Sequence, residues 1–315
     1  MDNEIIVSII CNAFNQQDYI RNALDGFVMQ QTDFPFEILV HDDASTDRTP
    51  QIIREYEEKY PHLFRPIYQT ENQYSKRVGI TRNIQVPRAK GKYIALCEGD
   101  DYWTDPRKLQ KQVDAMEAHP EVDICAHRGM MLRQGKQIGT APKQTQDTIF
   151  TPDQVILGGG GFVTTASLMI RRELFFRELP FAKAISLDYI WQISGSLRGG
   201  MLYLGECMNV YRVNAKGSWT ARMRKDTAAR IQHSQRVRQV MEQLDRETDY
   251  RYTEAIHKEF AKMDLGAMRR NGEWRKMLAP EGRKLLRTLP LKRRLLLVAK
   301  AFYRWLCNRL CTRKE

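Results

Sequence analysis

The stretch Glu98-Gly99-Asp100-Asp101-Tyr102-Trp103 is the most informative part of this 315-residue chain. It follows an apolar segment, residues 92–97, that predicts a buried strand. The strand therefore ends in three carboxylates within four residues, where like charges repel and are poorly solvated. A hard divalent cation such as Mg²⁺ or Mn²⁺ would make this arrangement favourable, because it takes oxygen ligands and shares them with substrate phosphates. A solvated acidic turn that closes a strand is the alternative, and this stretch alone leaves both open.

Patterns typical of strands and helices alternate on both sides of this stretch. Alternation at these lengths predicts an α/β layer with a mostly parallel sheet. In such sheets ligands lie beyond the carboxyl ends of the strands, which is where the acidic stretch falls. The predicted strands are 5–11, 36–40, 64–68, 92–97 and 122–126, and the predicted helices are 18–31, 50–60 and 106–118, with a helix or turn at 82–90.

The net charge of +12 is unevenly distributed along the chain. Residues 1–215 contain 24 Lys and Arg against 27 Asp and Glu, whereas residues 216–315 contain 26 against 11. The basic last third is helical in pattern and predicts an anionic partner such as a membrane surface, a nucleic acid or a polyanionic substrate.

The compartment is predicted from three features of the sequence. The acidic start of the chain, residues 1–4, argues against a signal sequence, and no apolar stretch reaches the roughly 18 residues that a transmembrane helix needs. The six cysteines are scattered, without the spacing of a disulfide framework or a metal site. We therefore expect a reducing cytoplasm.

A second acidic turn, Asp42-Asp43-Ala44-Ser45-Thr46-Asp47, follows the strand predicted at 36–40. Together with Val7-Ser8-Ile9-Ile10-Cys11-Asn12-Ala13-Phe14-Asn15 and the 98–101 cluster, it resembles an inverting family-two glycosyltransferase of the bacterial surface-polysaccharide type. The order and spacing of these motifs match over roughly residues 5–215. The resemblance implies a GT-A fold, in which a mostly parallel central sheet is flanked by helices.

The resemblance also implies which residues bind the donor. Asn12 and Asp43 would contact the nucleotide base, and Asp43 would accept a hydrogen bond from its N–H edge. Asp100 would hold the ribose or assist the metal, and Arg82 would face the nucleotide. For Asp43, the alternative is a helix cap or turn former.

The implied cofactor is Mn²⁺ or Mg²⁺, which would bridge the donor diphosphate. Asp101 would bind this metal. Glu98 stands where many family members have the first Asp of the metal motif, and its longer side chain would serve the same role.

The implied catalytic base is Asp188, which would take the proton of the acceptor hydroxyl. The family usually has a pair of acids here, but Leu187 replaces the first one, so Asp188 carries the role alone. A helix N-cap is the alternative interpretation of Asp188. The glycine run 158–161 opens a segment, 158–167, that we expect to line the acceptor side and to move on substrate binding.

Two further residues lie in a segment that resembles the family's Tyr-Arg-x-His motif, Val210-Tyr211-Arg212-Val213-Asn214. Arg212 would either meet the diphosphate or brace the helix. Asn214 stands where histidine is common, which leaves open whether this position binds metal or diphosphate.

The chain is therefore predicted to consist of a catalytic domain, 1–215, and a helical basic region, 216–315. The catalytic domain comprises a nucleotide-sugar half, about 1–103, and an acceptor half, about 104–215. The predicted function is transfer of a hexosyl or N-acetylhexosaminyl group from a nucleotide-diphosphate sugar to a glycan or lipid-linked acceptor.

The basic region predicts association with an anionic membrane surface, on the cytoplasmic face of the cell membrane. On a helix, Leu291, Leu295, Val298, Phe302, Trp305 and Leu306 would gather on one side, as in an interfacial anchor.

Two other classes of protein are alternatives to this prediction. A nucleotidyltransferase would also use paired carboxylates, but residues 11–17 hold no Gly/Arg/Lys-rich loop for a triphosphate. A non-catalytic protein that binds nucleic acid or membrane would explain the basic region but not the acidic strand ends, which repel phosphate. We therefore expect no nucleic-acid partner.

Overall fold

The computed structural model describes residues 4–183 and 187–311, with residues 304–311 described by their backbone alone. The chain divides into two compact units, one ending at Gln232 and the other beginning at His233. The first unit contains one mixed sheet with helices packed against it, and the second is helical. The α/β architecture predicted from the sequence is confirmed, as is the helical C-terminal region.

Ten strands are found in the described residues: β1 (Val7–Ala13), β2 (Phe36–Asp42), β3 (Ile67–Tyr68), β4 (Tyr93–Leu96), β5 (Tyr102–Trp103), β6 (Ile124–Arg133), β7 (Lys136–Ala141), β8 (Thr148–Phe150), β9 (Met169–Arg171) and β10 (Met201–Arg212). They join one sheet in the order β3-β2-β1-β4-β9-β6-β10-β5, with β7 beside β6 and β8 beside β10.

The α-helices that begin in the first unit are α1 (Ile20–Val28), α2 (Thr49–Lys59), α3 (Val86–Arg88), α4 (Lys108–Ala118), α5 (Pro152–Gly158), α6 (Pro180–Lys183), α7 (Asp188–Ser196), α8 (Trp219–Lys225) and α9 (Thr227–Glu247). Helices α1, α2, α4 and α7 pack against the sheet, and α9 continues into the second unit. A π-helical turn, Thr81–Gln85, precedes α3, and 3₁₀ turns form at Thr165–Ser167 and Arg172–Phe176.

The direction of the strands explains where the site forms. β1 pairs in parallel with both β2 and β4, and β6 pairs in parallel with β10. Short β9 lies antiparallel between β4 and β6, so these two strands point the same way. The carboxyl ends of β1, β2, β4 and β10 therefore meet at one edge of the sheet, which brings together motifs that are far apart in the sequence.

The core of the first unit is built by the apolar segments that predicted its elements. β1 is buried along nearly its whole length, and α1 buries Ile20, Ala23, Leu24 and Phe27 at helical spacing. A strand covered on both faces reads as a continuous apolar run, which is why residues 5–11 were recognisable from sequence alone.

Residues 130–151 form more regular structure than their polar sequence suggests. β6 continues to Arg133 and turns through Gln134 and Gly135, both at positive φ, into β7. β7 is held by pairing to β6 across largely exposed positions, so its side chains carry little apolar pattern. β6 and β7 therefore form a hairpin.

The second unit holds the end of α9 and four further helices, α10 (Thr253–Arg270), α11 (Trp274–Leu278), α12 (Pro280–Arg287) and α13 (Leu291–Cys311). Its own small core consists of Leu265, Met277, Leu286, Leu289 and Ala301. None of the helices in the described ranges is long and apolar enough to cross a bilayer. The predicted domain boundary at 215/216 lies before α8, whereas the two compact units meet within α9.

Candidate functional site

The acidic turn 98–101 lies at the common carboxyl edge of the sheet and is fastened to β1. The amide of Gly99 donates to the carbonyl of Asn12 at 3.1 Å, and the amide of Asp101 closes the turn on the carbonyl of Glu98 at 3.0 Å. A Cβ on Gly99 would lie 2.3 Å from Oε1 of Gln16 and 2.8 Å from Cδ1 of Ile20, so a larger residue would push these two side-chain ends aside. The turn is held to β1 by the backbone hydrogen bond to Asn12.

Arg212, at the end of β10, braces the same turn from the other side. Its backbone amide donates to Oδ1 of Asp101 at 2.8 Å, and its Nη1 donates to the carbonyl of Asp100 at 2.6 Å. Its guanidinium also donates to Asn22 and lies 4.5 Å from the ring centroid of Tyr102. These contacts brace the acidic turn, whereas contact between Arg212 and a diphosphate stays a prediction.

Burial makes the carboxyl groups of this turn costly to ionise. It raises the pKa of Glu98 to about 8, with a further contribution from the charge of Asp100 and a smaller one from Asp188. The pKa of Asp101 is raised by burial and then by Asp100, and that of Asp100 is raised by burial. Carboxylates that are this costly to ionise together are stabilised by a cation placed among them.

The oxygen-rich chemistry of the turn fits Mn²⁺ or Mg²⁺. Within the described residues, however, no three His, Cys, Asp or Glu side chains are grouped closely enough to form a complete metal cage. Mg²⁺ sites in enzymes commonly rely on one or two carboxylates, with substrate phosphates and water as the other ligands. The residues present fit a metal held in this shared way.

Asp188 is the first residue of α7, and its carboxylate has two hydrogen-bond donors. Oγ1 of Thr165 donates to Oδ2 at 2.6 Å, and the amide of Tyr189 donates to Oδ1 at 2.7 Å. Leu187, not Asp188, occupies the N-cap position, where no side-chain cap forms. Burial raises the pKa of Asp188, while the donated hydrogen bonds oppose that rise.

Asp188 lies close enough to the acidic turn for its charge to affect a carboxyl group there. The charge of Asp188 contributes to the raised pKa of Glu98. The pKa of Tyr211 is raised by burial and also by the charges of Asp101, Asp100 and Asp188. The fold therefore brings residues 98–101 and Asp188 into one electrostatic neighbourhood, although about 90 residues of sequence separate them.

The two residues expected at the nucleotide base lie at the ends of β1 and β2. Both carboxylate oxygens of Asp43 accept from backbone amides, Gln73 at 2.7 Å and Tyr74 at 3.0 Å. Nδ2 of Asn12 donates to Thr81 at 2.9 Å, whereas its buried Oδ1 has no hydrogen-bond partner in the described part of the chain. An unpartnered buried amide oxygen is a candidate acceptor for a ligand N–H or a water.

Arg82 is turned toward a different segment of the protein. Its guanidinium donates to the carbonyl of Ala182 at 3.0 Å and to that of Phe175 at 3.2 Å. These bonds tie the π-helical turn to the chain that leads into α7. Contact between Arg82 and a nucleotide stays a prediction.

The glycine run is less uniform than its sequence suggests. A Cβ on Gly158 would lie 2.3 Å from the ring of Phe162, and Gly159 has a φ of 71°, so both positions require glycine. A Cβ on Gly161, in contrast, would meet no heavy atom of the described residues within 4 Å. The same segment carries Thr165, which touches Asp188.

Thr165 is a site residue that reasoning from the sequence missed. The available signal is its place in the segment 158–167, which is expected to line the acceptor side. A threonine next to another threonine, with serine two residues later, carries no spacing that distinguishes the one hydroxyl that reaches Asp188.

Comparison with known proteins gives a family and a fold. A family profile described as glycosyl transferase family 2 matches residues 8–177. An uncharacterized protein of Mycobacterium tuberculosis is 39% identical over 216 residues, which cover 68% of this chain and 60% of that protein. The chain thus spans about 60% of the length of this relative.

Two solved structures resemble the chain at low sequence identity, and their likeness concerns the fold. Staphylococcus aureus TarS, residues 1–349 in complex with UDP-GlcNAc, has a TM-score of 0.64 at 18% identity, covering 93% of this chain and 82% of that one. The mannosyltransferase PcManGT of Pyrobaculum calidifontis, in complex with GDP-Man and Mn²⁺, has a TM-score of 0.58 at 17% identity, covering 95% and 84%.

Proposed function

Because the chain belongs to glycosyl transferase family 2, we propose that it is a metal-dependent inverting glycosyltransferase that uses a nucleotide-diphosphate sugar. The observation that carries the proposal is the short path of contacts between Asp188 and the acidic turn 98–101. Thr165 donates to Asp188, and the next residue, Ala166, accepts from Trp103, two residues after Asp101. An inverting transfer needs one group near the leaving diphosphate and another near the attacking hydroxyl. The acidic turn and Asp188 correspond to these two needs.

The donor half of the site is assigned to Asn12, Asp43, Arg82 and the acidic turn. Asp101 and Glu98 would hold Mn²⁺ or Mg²⁺, and Asp100 would hold the ribose or assist the metal. When bound, the cation would offset the charge of the diphosphate as it departs. The bound GDP-Man and Mn²⁺ of PcManGT support this assignment by analogy of fold.

Asp188 would act as the general base. Its carboxylate would take the proton from the acceptor hydroxyl, whose oxygen forms the new bond to the anomeric carbon. The bond from that carbon to the diphosphate oxygen breaks, and the nucleoside diphosphate leaves with the electron pair. Thr165 keeps the carboxylate oriented during this transfer, because its hydroxyl donates to Oδ2.

We also infer that α13 associates with an anionic membrane surface on the cytoplasmic side, where a lipid-linked or polysaccharide acceptor would be reached. Leu291, Leu295 and Leu296 are all more than half exposed on this helix. Lys292, Arg293 and Lys300 are exposed on the same helix, so apolar and basic groups occupy its outer surface together. Such a surface complements an anionic bilayer.

The exposed apolar face of α13 differs in part from the one predicted by helical spacing. Leu291, Leu295 and Phe302 are exposed as expected, but Val298 packs against the small core of the second unit. The side chains of Trp305 and Leu306 lie outside the described residues. The helix therefore has apolar residues on two sides. Val298 packs inward against the small core, whereas Leu291, Leu295 and Phe302 remain exposed on the surface.

The experiment that tests the proposed activity is a panel of UDP- and GDP-sugars with added Mn²⁺ or Mg²⁺, in which release of nucleoside diphosphate is measured. Asp188→Asn should retain nucleotide binding and lose roughly 10²- to 10⁴-fold in turnover, the usual contribution of a positioned base. Asp153→Asn is the control, because Asp153 is an exposed acid on α5. Absence of metal-dependent turnover with every donor, or a product that retains the anomeric configuration of the donor, would overturn the proposal.

A further inference from the structure

Trp103 follows the acidic turn by two residues and joins it to several neighbouring elements. Its ring is buried, and Nε1 donates to the carbonyl of Ala166 at 2.8 Å. The ring packs edge-on against Phe27 of α1, with centroids 4.9 Å apart. Gly26 approaches so closely that a Cβ there would lie 3.0 Å from the backbone nitrogen of Trp103. These contacts hold Trp103 rigidly next to the acidic turn.

The carbonyl that Trp103 contacts belongs to the 3₁₀ turn that holds Asp188. Thr165, whose hydroxyl donates to Asp188, directly precedes Ala166. The turn is fastened a second time by Gln112 of α4, which donates to the carbonyl of Ser167 at 2.9 Å. A continuous path of contacts thus runs from the acidic turn through Trp103 and Ala166 to Asp188.

Lys108 packs on the face of the indole. Its side chain is fully buried, and Nζ lies 3.8 Å from the centroid of the Trp103 ring. Nζ has no hydrogen-bond partner within the part of the chain that is described. The indole face is the favourable contact that the structure gives this cation, because the ring quadrupole attracts it.

Neither side chain is placed to react with a substrate. Trp103 is 2% exposed and Lys108 is fully buried, so both act through the residues they hold. The distance between a metal-binding carboxylate and a general base must match the geometry of the transfer, and a displacement of about 1 Å can cost about 10²-fold in rate. Rigid contacts between the two groups serve this requirement.

We propose that Trp103 is a positioning residue, supported by Lys108, that sets the separation of Asp101 and Asp188 through its bond to Ala166. This inference rests on the proposed glycosyltransferase function for its kinetic consequence. Whether or not the protein is active, loss of the bond from Nε1 of Trp103 to Ala166 should loosen both the acidic turn and the segment that holds Asp188.

The test compares Trp103→Phe with Trp191→Phe. The first variant keeps an aromatic ring but removes the Nε1 donor. The second makes the same change at another buried tryptophan, whose Nε1 has no hydrogen-bond partner in the described residues and whose ring packs on Phe175. Hydrogen–deuterium exchange, the melting temperature, the affinity for Mn²⁺ with UDP or GDP, and kcat are measured for both.

We expect Trp103→Phe to speed exchange at the amides of Asp101, Ser167 and Ile190, which close the acidic turn, the 3₁₀ turn and the start of α7. We expect kcat to fall about 10- to 100-fold, which is a larger change than the loss of Mn²⁺–nucleotide affinity. Trp191→Phe should change amide exchange at these three positions, and kcat, by less than Trp103→Phe does.

Turnover tests the proposed function, whereas amide exchange tests whether Trp103 couples the acidic turn to Asp188. If the wild type turns over no donor, the proposed function fails, while the exchange data still decide whether Trp103 couples the two acidic groups. Faster exchange confined to residues 101–104, or equal changes in both variants, overturns the coupling. Faster exchange at all three amides with an unchanged kcat overturns the positioning role.

Discussion

Oγ1 of Thr165 donates to Oδ2 of Asp188 at 2.6 Å. The two residues come from different elements, the 3₁₀ turn before β9 and the first turn of α7. A hydrogen bond to an ionised carboxylate favours the charged form and so opposes the rise in pKa that burial causes. The strength of this one bond should therefore appear in the pH dependence of the reaction.

Thr165→Val should move the acidic limb of kcat/KM to higher pH. A base acts only when deprotonated, so the rate falls as the pH drops through the pKa of Asp188, and losing the hydroxyl raises that pKa further. A hydrogen bond to a charged group contributes about 1.5–3 kcal/mol, which corresponds to about 1–2 pH units. The matched control is Thr164→Val, because Thr164 bonds to Asn209 instead. An equal shift in both variants would show that the hydroxyl of Thr165 does not specifically stabilise the carboxylate of Asp188.

Asp101→Asn should lose metal-dependent binding of the nucleoside diphosphate while keeping the fold. The asparagine oxygen still accepts from the amide of Arg212, as Oδ1 of Asp101 does at 2.8 Å. Removing one buried charge also relieves its repulsion with Asp100, so the metal-free protein should melt at the same or a higher temperature. Titration of Mn²⁺ followed by electron paramagnetic resonance, with and without UDP or GDP, measures the first effect. Unchanged Mn²⁺ affinity would remove Asp101 from the metal site.

Lys108→Met should raise the free energy of unfolding near neutral pH and flatten its rise with pH. Burial lowers the pKa of Lys108 to about 7 from an ordinary value near 10.5. Between these two values the unfolded chain binds the proton more tightly, so the contribution of Lys108 to stability increases with pH, by up to about 1.4 kcal/mol per unit. Below about pH 7 Lys108 is charged in the folded protein, and the destabilisation caused by burying that charge is complete.

The measurement for Lys108→Met is urea unfolding at several pH values from about 6 to 10, in both proteins. The difference between the two curves isolates Lys108 from other titrating groups. The indole of Trp103 opposes the fall in pKa, since it stabilises the charged form. A difference that stays constant across this range would mean that Lys108 keeps its proton throughout.

Leu291→Asp with Leu295→Asp should weaken binding to anionic vesicles by at least about tenfold. Both leucines are more than half exposed on α13, so the change leaves the small core of the second unit intact, while each apolar side chain contributes on the order of 1.5 kcal/mol when it leaves water. The control replaces Ile138 and Ile149, which are exposed in the first unit, with Asp.

Co-sedimentation with vesicles of phosphatidylglycerol and phosphatidylcholine, and of phosphatidylcholine alone, measures this binding. Added salt should reduce it, because each Lys or Arg near the surface contributes about 1 kcal/mol that ions screen. Equal loss in the α13 variant and the control, or no binding by the wild type, would contradict the proposed surface.

Local sequence pattern was enough to identify the elements that form the sheet and the acidic turns at their ends. Apolar runs such as residues 5–11 and helical spacing in 20–28 are properties of neighbouring residues, and burial of the strands follows from them. The parallel direction of the main strands then predicts that residues at their carboxyl ends meet. Asn12, Asp43 and the turn 98–101 do lie at one edge, as this reasoning requires.

The tertiary structure decided which polar side chains those residues contact. Arg82 bonds to carbonyls 93 and 100 residues away, and Arg212 braces a turn 112 residues before it. Thr165 reaches Asp188, and Val298 turns inward on α13, although spacing alone groups it with the exposed leucines. Such contacts depend on how separate elements pack, and a long polar side chain satisfies its hydrogen bonds wherever packing brings a partner within about 3 Å. No local pattern in the sequence specifies which distant partner such a side chain will contact.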